Sequence, residues 1–552
     1  MSRKLKKEQV TEYRQANSCL RMVRWVIDIY LFLLICIYPF LIRRGYGSTS
    51  HIKYNFLIGI SYFFRLGSLP VPTFIPVSSI LIIAGTYIYI RDTGKTFTGF
   101  IKEIRLSATD KAMLVYVSAL ILSSMVSSHK DELIWGYPTW NMGLASQFLL
   151  ILLYFIISRF FDVYELELIT YAAMLATTPV FLIEILQRFG ADIFNLYNGV
   201  EDKISYISTI GQVSWFSAYM ILFVCMSTFI VWYFDSSTRM RKAGAAHLVV
   251  GSVSLVTQNT DSAYAGLFIF LTFLFVWSFD NNKRMKSFLE TALIILLSWR
   301  VTGFMQLIFK DRMIGLDSLS IFMSQGIPLW GLILLIAVLY IFICWKEKKD
   351  PDFDISRYSA VGRIFVLMVF VVTVLMIIYI VLNTTEVLPE KYRSTNNYLL
   401  FNDYWGNLRG AMWRDTVNSY FMELKAEPLK AIFGAGADQF HHVLSDYTKA
   451  HVTPIWGDTV ATNAHNEWLT AFVNYGVYGG LAYLGIFIMS IIRCSLMRHR
   501  VPYAMAVAGI VAAYMAHNVF CYQQYICAPY LFVIMAAGEQ MIRIGYKGLE
   551  DV

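Results

Sequence analysis

An all-α polytopic membrane protein is the fold class this chain predicts, and three observations predict it. Of the 552 residues, 57% are hydrophobic and only 15% charged, and mean hydropathy is +0.53, outside the range of ordinary soluble domains. Apolar windows of roughly 17 to 23 residues recur along the whole length. Lys and Arg collect in the connections that an alternating crossing pattern places on one side.

The windows fall near 24–42, 75–91, 111–127, 142–160, 167–187, 214–234, 244–257, 262–279, 287–308, 326–345, 361–383, 468–492, 502–520 and 526–543, about fourteen transmembrane helices in all. The piece 54–64 is too short to span, so it lies in the interface or dips in and returns. The first twenty residues are polar and basic, with no apolar core or small-residue cleavage site, which predicts an N-terminus kept inside. RDTGKTFTGFIKEIR, SRFFD, STRMRK, NNKRMK, WKEKKD, RCSLMRHR and the tail IRIGYK then share that side. Arg43 and Arg44 are the basic outliers outside. These loops account for the net charge of +8, and nucleic acid is excluded as a partner. Three regions result: a bundle of about eleven spans over 1–383, a large outer loop with short helices over 384–467, and about three spans over 468–552.

The seven cysteines are scattered without metal-ligand spacing. Cys521 and Cys527 flank a short outer turn, where a disulfide or two unrelated thiols both fit.

A loop of roughly eighty residues among short connections points to function. Within it Trp413, Val417, Tyr420, Phe421 and Leu424 recur at helical spacing and Pro428 ends the pattern. This predicts an amphipathic helix from about 410 to 426, lying over the membrane mouth. IFGAGADQF follows, its glycines marking a tight backbone turn without the context of a nucleotide loop. In NAHNEWLTAFVNYGVYGG the loop becomes a span, placing His465 at the water boundary. Imidazole titrates near neutrality, so it suits a proton acceptor there.

Arg409 lies four residues before Trp413 on the same helix face, and a guanidinium fork suits a diphosphate. Arg414 sits five residues on, about 140° round the helix, so the two grip one group only if the helix starts after Arg409. Arg300 lies inside an apolar run, where a charge costs on the order of a few kcal/mol and calls for a cavity or a partner. Glu184 is one such partner, and Asp28 poses the same question. No acidic cluster, His or Cys array or G-x-S-x-G motif is present, so a reaction with no metal and no cofactor is expected.

In order, Arg409-x-x-x-Trp413, Pro428, the Gly434–Gly436 turn, His465-Asn466 and VNYGVYGGLAYLGI resemble the O-antigen ligase and polymerase superfamily of bacterial membrane glycosyltransferases. STIGQVSWFSAY (208–219) and MAHNVF (515–520) are similar to further family stretches, and the likeness runs over roughly residues 110–540. It implies a GT-C-like helical bundle in the bacterial cytoplasmic (inner) membrane. There a glycan passes from an undecaprenyl-diphosphate donor to a hydroxyl of a glycan, lipid or protein acceptor at the outer face, without a metal. By position Arg409 would bind the diphosphate and His465 accept the acceptor's proton or orient its hydroxyl; Asn466 and Arg414 beside them are further candidates for substrate binding.

One departure stands out. The family usually carries a Ser-Arg pair in an outward hairpin, whereas this chain reads TQNTDSAYAG, with Asp261 and Ser262 at that place. A second cation would then come from Arg300, Lys310 or Arg312, with Asp261 on sugar hydroxyls or paired with one of them. The competing class, a lipid-linked oligosaccharide flippase or transporter, predicts two pseudo-symmetric halves around a midplane cavity, and no duplicated pattern is visible.

Overall fold

The computed structural model describes residues 18–43, 46–197, 206–456 and 460–545. The basic N-terminal stretch before residue 18, Arg44 and the end of the IRIGYK tail lie outside these residues. Among the described residues the regular structure is helical apart from two short hairpins, that of an all-α polytopic membrane protein.

In chain order come α1 (Ser18–Phe32), α2 (Tyr46–Ser61), the hairpin β1 (Phe63–Leu66) with β2 (Leu69–Pro72), α3 (Phe74–Thr93), α4 (Phe97–Glu103), α5 (Ala108–Val126), α6 (Leu144–Phe160) and α7 (Leu166–Arg188). After the short hairpin β3 (Tyr206–Ile207) and β4 (Gly211–Gln212) come α8 (Val213–Tyr233), α9 (Arg239–Thr257), α10 (Asp261–Ser278), α11 (Asn282–Ile308), α12 (Ser318–Gln325), α13 (Pro328–Lys349) and α14 (Ser359–Thr384). The late segment supplies α15 (Trp405–Ala426), α16 (Pro428–Phe433) and α17 (Phe440–Trp456), and α18 (Glu467–Met497), α19 (Ala504–His517) and α20 (Ala528–Ile544) close the chain.

Among the described residues, nine helices are long and apolar enough to cross a membrane, with α6 and α19 shorter apolar helices. This measure does not reach the expected fourteen. The first window breaks at Phe32 into a π turn (Leu33–Ile37) and a 3-10 turn (Tyr38–Phe40) at Pro39, as a proline inside a helix dictates. Lys53, fully buried on α2, donates to the loosened carbonyls of Tyr38 (3.0 Å) and Pro39 (2.9 Å). The stretch expected to be too short to span is helical as far as Ser61, passes into β1, and is held against the turn that follows α1.

At the centre stands α8, apolar all round its circumference and buried along most of its length, the pattern of a helix enclosed on every side. It packs against α9, α10, α11 and α19. By contrast α14, still more apolar, has none of its most apolar window buried by protein, so lipid is its partner.

Several basic segments expected on one side meet at one end of the bundle. Arg159 and Arg543 both pair with Asp110 of α5, Arg493 and Arg543 pair with Glu539, and Arg543 also donates to the Arg105 carbonyl. Asp110 is fully buried and completes a capping box with Ser107.

The expected helix of the late segment exists as α15. Its buried side is Gly410, Ala411, Met412, Asp415, Thr416, Ser419 and Glu423, while Val417, Phe421 and Leu424 are exposed. Small residues let α15 approach α17 closely, around a core of Met412, Phe440, Val443, Leu444, Ala464 and Val473. The apolar stripe is left facing outward. The glycine turn does what its spacing predicts: Ala435 and Gly436 N–H groups donate to the Val473 (3.2 Å) and Asn474 (2.9 Å) carbonyls. These carbonyls are exposed because α18 breaks at Gly476, whose φ is 65°. A Cβ on Gly434 would lie 2.2 Å from the Asn474 oxygen.

Replacing Asp110 by Ala leaves Arg159 without its carboxylate and Arg543 with Glu539 alone, and should cost about 3–5 kcal/mol, read as a lowered thermal midpoint of the detergent-solubilised protein, with Asp110→Glu closer to wild type.

Candidate active site around His465 and Arg409

The turn NAHNEWLT has a local use for each of its polar side chains. Asn463 Oδ1 accepts the His465 N–H at 2.9 Å, closing an Asx turn. His465 takes a φ of 48°, a left-handed conformation that His tolerates better than most residues and that clusters at functional sites. Asn466 caps α18, its Oδ1 accepting the Trp468 and Leu469 N–H groups, both at 3.0 Å. Its side-chain oxygen therefore sets the turn. Thr470 Oγ1 accepts the Ala464 N–H at 3.0 Å and donates to the Asn466 carbonyl at 2.9 Å.

Glu467 is the residue sequence reasoning missed. Buried at the first position of α18, it accepts from Tyr483 (2.5 Å), Tyr514 (2.8 Å) and Asn518 Nδ2. Its backbone N–H donates to the Asn518 carbonyl at 3.0 Å. Asn518 Oδ1 lies 2.6 Å from His517 Nδ1, and His517 Nε2 lies 2.8 Å from Ser217 Oγ on α8. The start of α18 is thus bound to the end of α19 and to the central helix. An acid in the first turn of an apolar helix, one residue after an Asn cap, was the available signal.

Arg409 arrives on the same platform. Gly406, Asn407 and Leu408 all have positive φ (58°, 61°, 69°), so the regular helix begins only at Arg409. Its Nε donates to the Phe520 carbonyl at 3.2 Å and one Nη to the Gly406 carbonyl at 2.5 Å. Trp405 and Trp413 flank it and both meet the Phe520 ring, at 6.2 and 6.1 Å. His465 meets the same 518–522 loop through Tyr522, edge to face at 5.2 Å.

The two predicted catalytic residues therefore share one site. Protein surrounds the His465 ring and lowers its pKa from 6.5 to about 3, with the Arg409 charge as the second cause. His465 still keeps part of its surface accessible. The imidazole is neutral, as a proton acceptor requires.

The other expected residues are distributed differently. Asp261 accepts from Tyr398 at 3.0 Å, and Arg409's charge acts on it. No pairing with Arg300, Lys310 or Arg312 forms among the described residues. Arg300 donates to the Ser324 (2.9 Å) and Gly326 (2.8 Å) carbonyls and sits over the Trp330 ring. Its guanidinium ties α12 to α11, and Glu184 is not its partner, because Ser254 and Thr257 donate to that carboxylate at 2.7 and 2.8 Å. Arg414 pairs with Asp403 at 2.5 Å, and Arg312 is exposed on the loop after α11. Arg188 also reaches the Gln258–Asp261 turn, through the Gln258 carbonyl at 3.5 Å. Sequence reading passed over it because it closes a helix among other polar residues.

Cys521 and Cys527 are buried free thiols. Beside the turn lies a cavity of about 30 Å³ lined by Asn463, Glu467, Asp438, Trp140, Tyr522 and Gln523, room for ordered water rather than for a sugar. Asp438 has its pKa raised to about 7 by burial, against two backbone N–H bonds from Tyr137 (2.9 Å) and Met142 (3.1 Å).

Because folding lowers the His465 pKa, the stability held by its neutral form is complete above pH 6.5 and is lost as pH falls toward 3. A His465→Gln protein should therefore lose stability less steeply than wild type between pH 6 and pH 4, by up to about 1.4 kcal/mol per pH unit, in thermal melts across that range.

A search of curated proteins finds no match. Residues 313–484, which include Arg409 and His465, match a family model described as O-antigen ligase. The match spans less than half of the chain and supports a likeness to the O-antigen ligase superfamily over those residues.

Proposed function

We propose that the chain is a membrane glycosyltransferase of the bacterial cytoplasmic membrane, with termini inside. It moves a glycan from undecaprenyl diphosphate to an acceptor hydroxyl at the outer face. The observation that carries this reading is the convergence of Arg409 and His465 on the 518–522 loop.

In the reaction the bond between the glycosyl carbon and the diphosphate oxygen breaks and one to the acceptor oxygen forms. Negative charge grows on the diphosphate, and the acceptor's proton must leave. Arg409 is a fixed cation for the first need and His465 a neutral imidazole for the second. The two are coupled. Arg409 is the second cause of the low His465 pKa, so a bound diphosphate, by neutralising that charge, raises the basicity of the imidazole when the donor is in place. No divalent metal is needed to hold the leaving group in this scheme.

A polymerase and a ligase would share these residues and differ in acceptor: a second lipid-linked glycan, or a finished lipid, protein or wall polymer. Product length separates them, as a ladder from one substrate or a single joining event. The chemistry is tested by reconstituting the full chain with an undecaprenyl-diphosphate oligosaccharide and no added divalent metal. His465→Ala should lower turnover by about 10²–10⁴, and Arg409→Lys, which keeps the charge but loses the fork, should weaken donor use less than Arg409→Ala. Glycan joining intact in both alanine variants, with translocation lost instead, would replace this reading by a flippase.

A further inference from the structure

Away from His465, the segment joining α5 to α6 meets the first turn of α17 through a cluster that the transfer scheme does not use. One oxygen of Glu132 lies 3.1 Å from His441 Nε2 and 3.2 Å from His442 Nε2. The three ligand-type atoms all fall within 4.8 Å of one another. A third imidazole, His129, stacks on His442 with ring centroids 3.6 Å apart and planes within 4°. His441 is buried, while Glu132 and His442 remain partly accessible.

Consecutive residues of a helix project about 100° apart, yet here neighbouring imidazoles at a helix start turn the same nitrogen toward one oxygen. Adjacent corners of a tetrahedral site with bonds of about 2.0–2.1 Å stand about 3.3 Å apart, close to the two separations observed. Two imidazoles and one carboxylate suit a borderline divalent ion such as Zn²⁺ and leave its fourth position to water. Spacing along the chain could not have shown this, because the carboxylate and the imidazoles are about 310 residues apart in sequence.

We infer that Glu132, His441 and His442 form a divalent transition-metal site of the Zn²⁺ type that clips the α5–α6 segment to α17. The clip falls beside a second bond between the same two pieces. Asp438, three residues before His441, holds the Tyr137 and Met142 N–H groups and lines the cavity next to the His465 turn. The ion therefore acts on the wall of the site, away from the leaving group, and its binding is independent of whether the proposed transfer reaction is correct.

The test uses the purified full-length protein in detergent, stripped with chelator and titrated with Zn²⁺, or with Co²⁺ followed by its visible absorption. One equivalent should bind with the intense bands of four-coordinate Co²⁺. His441→Ala/His442→Ala should lower affinity at least a hundredfold at unchanged elution volume, and Glu132→Gln at least tenfold. Zn²⁺ should slow amide exchange in 127–143 and at the start of α17 in wild type alone. Should the double variant not fold, the partly accessible His442→Gln alone serves, with at least a tenfold loss expected. No stoichiometric ion in wild type, or binding unchanged in these variants, overturns the site and leaves two imidazoles donating to a carboxylate.

Discussion

The site depends on one buried carboxylate. Glu467 gathers two tyrosine hydroxyls and the Asn518 amide in a place where water cannot solvate it, and a buried charge is tolerated only with such partners. Because those partners stand on α18, α19 and the loop after α19, satisfying the acid fixes three pieces of chain at once. The loop presents the Phe520 carbonyl to Arg409 and the Tyr522 ring to His465. Glu467 touches neither reacting group directly in this arrangement; it is a positioning residue.

A second constraint works from the opposite side. The late segment reaches the bundle where α18 is broken, at Gly476, and the freed carbonyls are taken by the Ala435 and Gly436 N–H groups. Glycine is needed on both chains, since a Cβ at Gly434 or Gly476 would lie within 2.3 Å of backbone on the other. Asp438 follows directly and reaches the α5–α6 segment. Three regions distant in sequence thus form the walls around the His465 turn.

How much of this was legible in the sequence follows from the range of each force. Apolar runs show bilayer crossing because hydrocarbon imposes length and composition locally, so α13 and α14 were visible at once. The break at Pro39 and the basic start of α9 blur the same signal, and α6, α19 and α20 are short, so the count of spans differs. The helix over 410–426 was legible in its period, while the stripe that packs against α17 was not. Its buried stripe is small and polar, chosen for close approach to α17, and its apolar stripe faces outward. His465 and Arg409 were singled out because order along the chain carried the resemblance. Glu467, Asn518, Arg188 and the Glu132 cluster were not, because each acquires meaning from a partner tens to hundreds of residues away. Arg300 and Asn466 looked functional for a local reason, a charge in an apolar run and a polar residue beside a histidine. In the structure Arg300 holds backbone carbonyls and Asn466 caps α18.

The central claim is that an imidazole and a guanidinium share one site and act on each other. Its most direct measurement is an NMR titration of the His465 ring in wild type and in Arg409→Gln. The account predicts a wild-type pKa well below 6.5 and an upward move when the cation is removed. A ring that titrates near 6.5 and does not respond to Arg409 would contradict it.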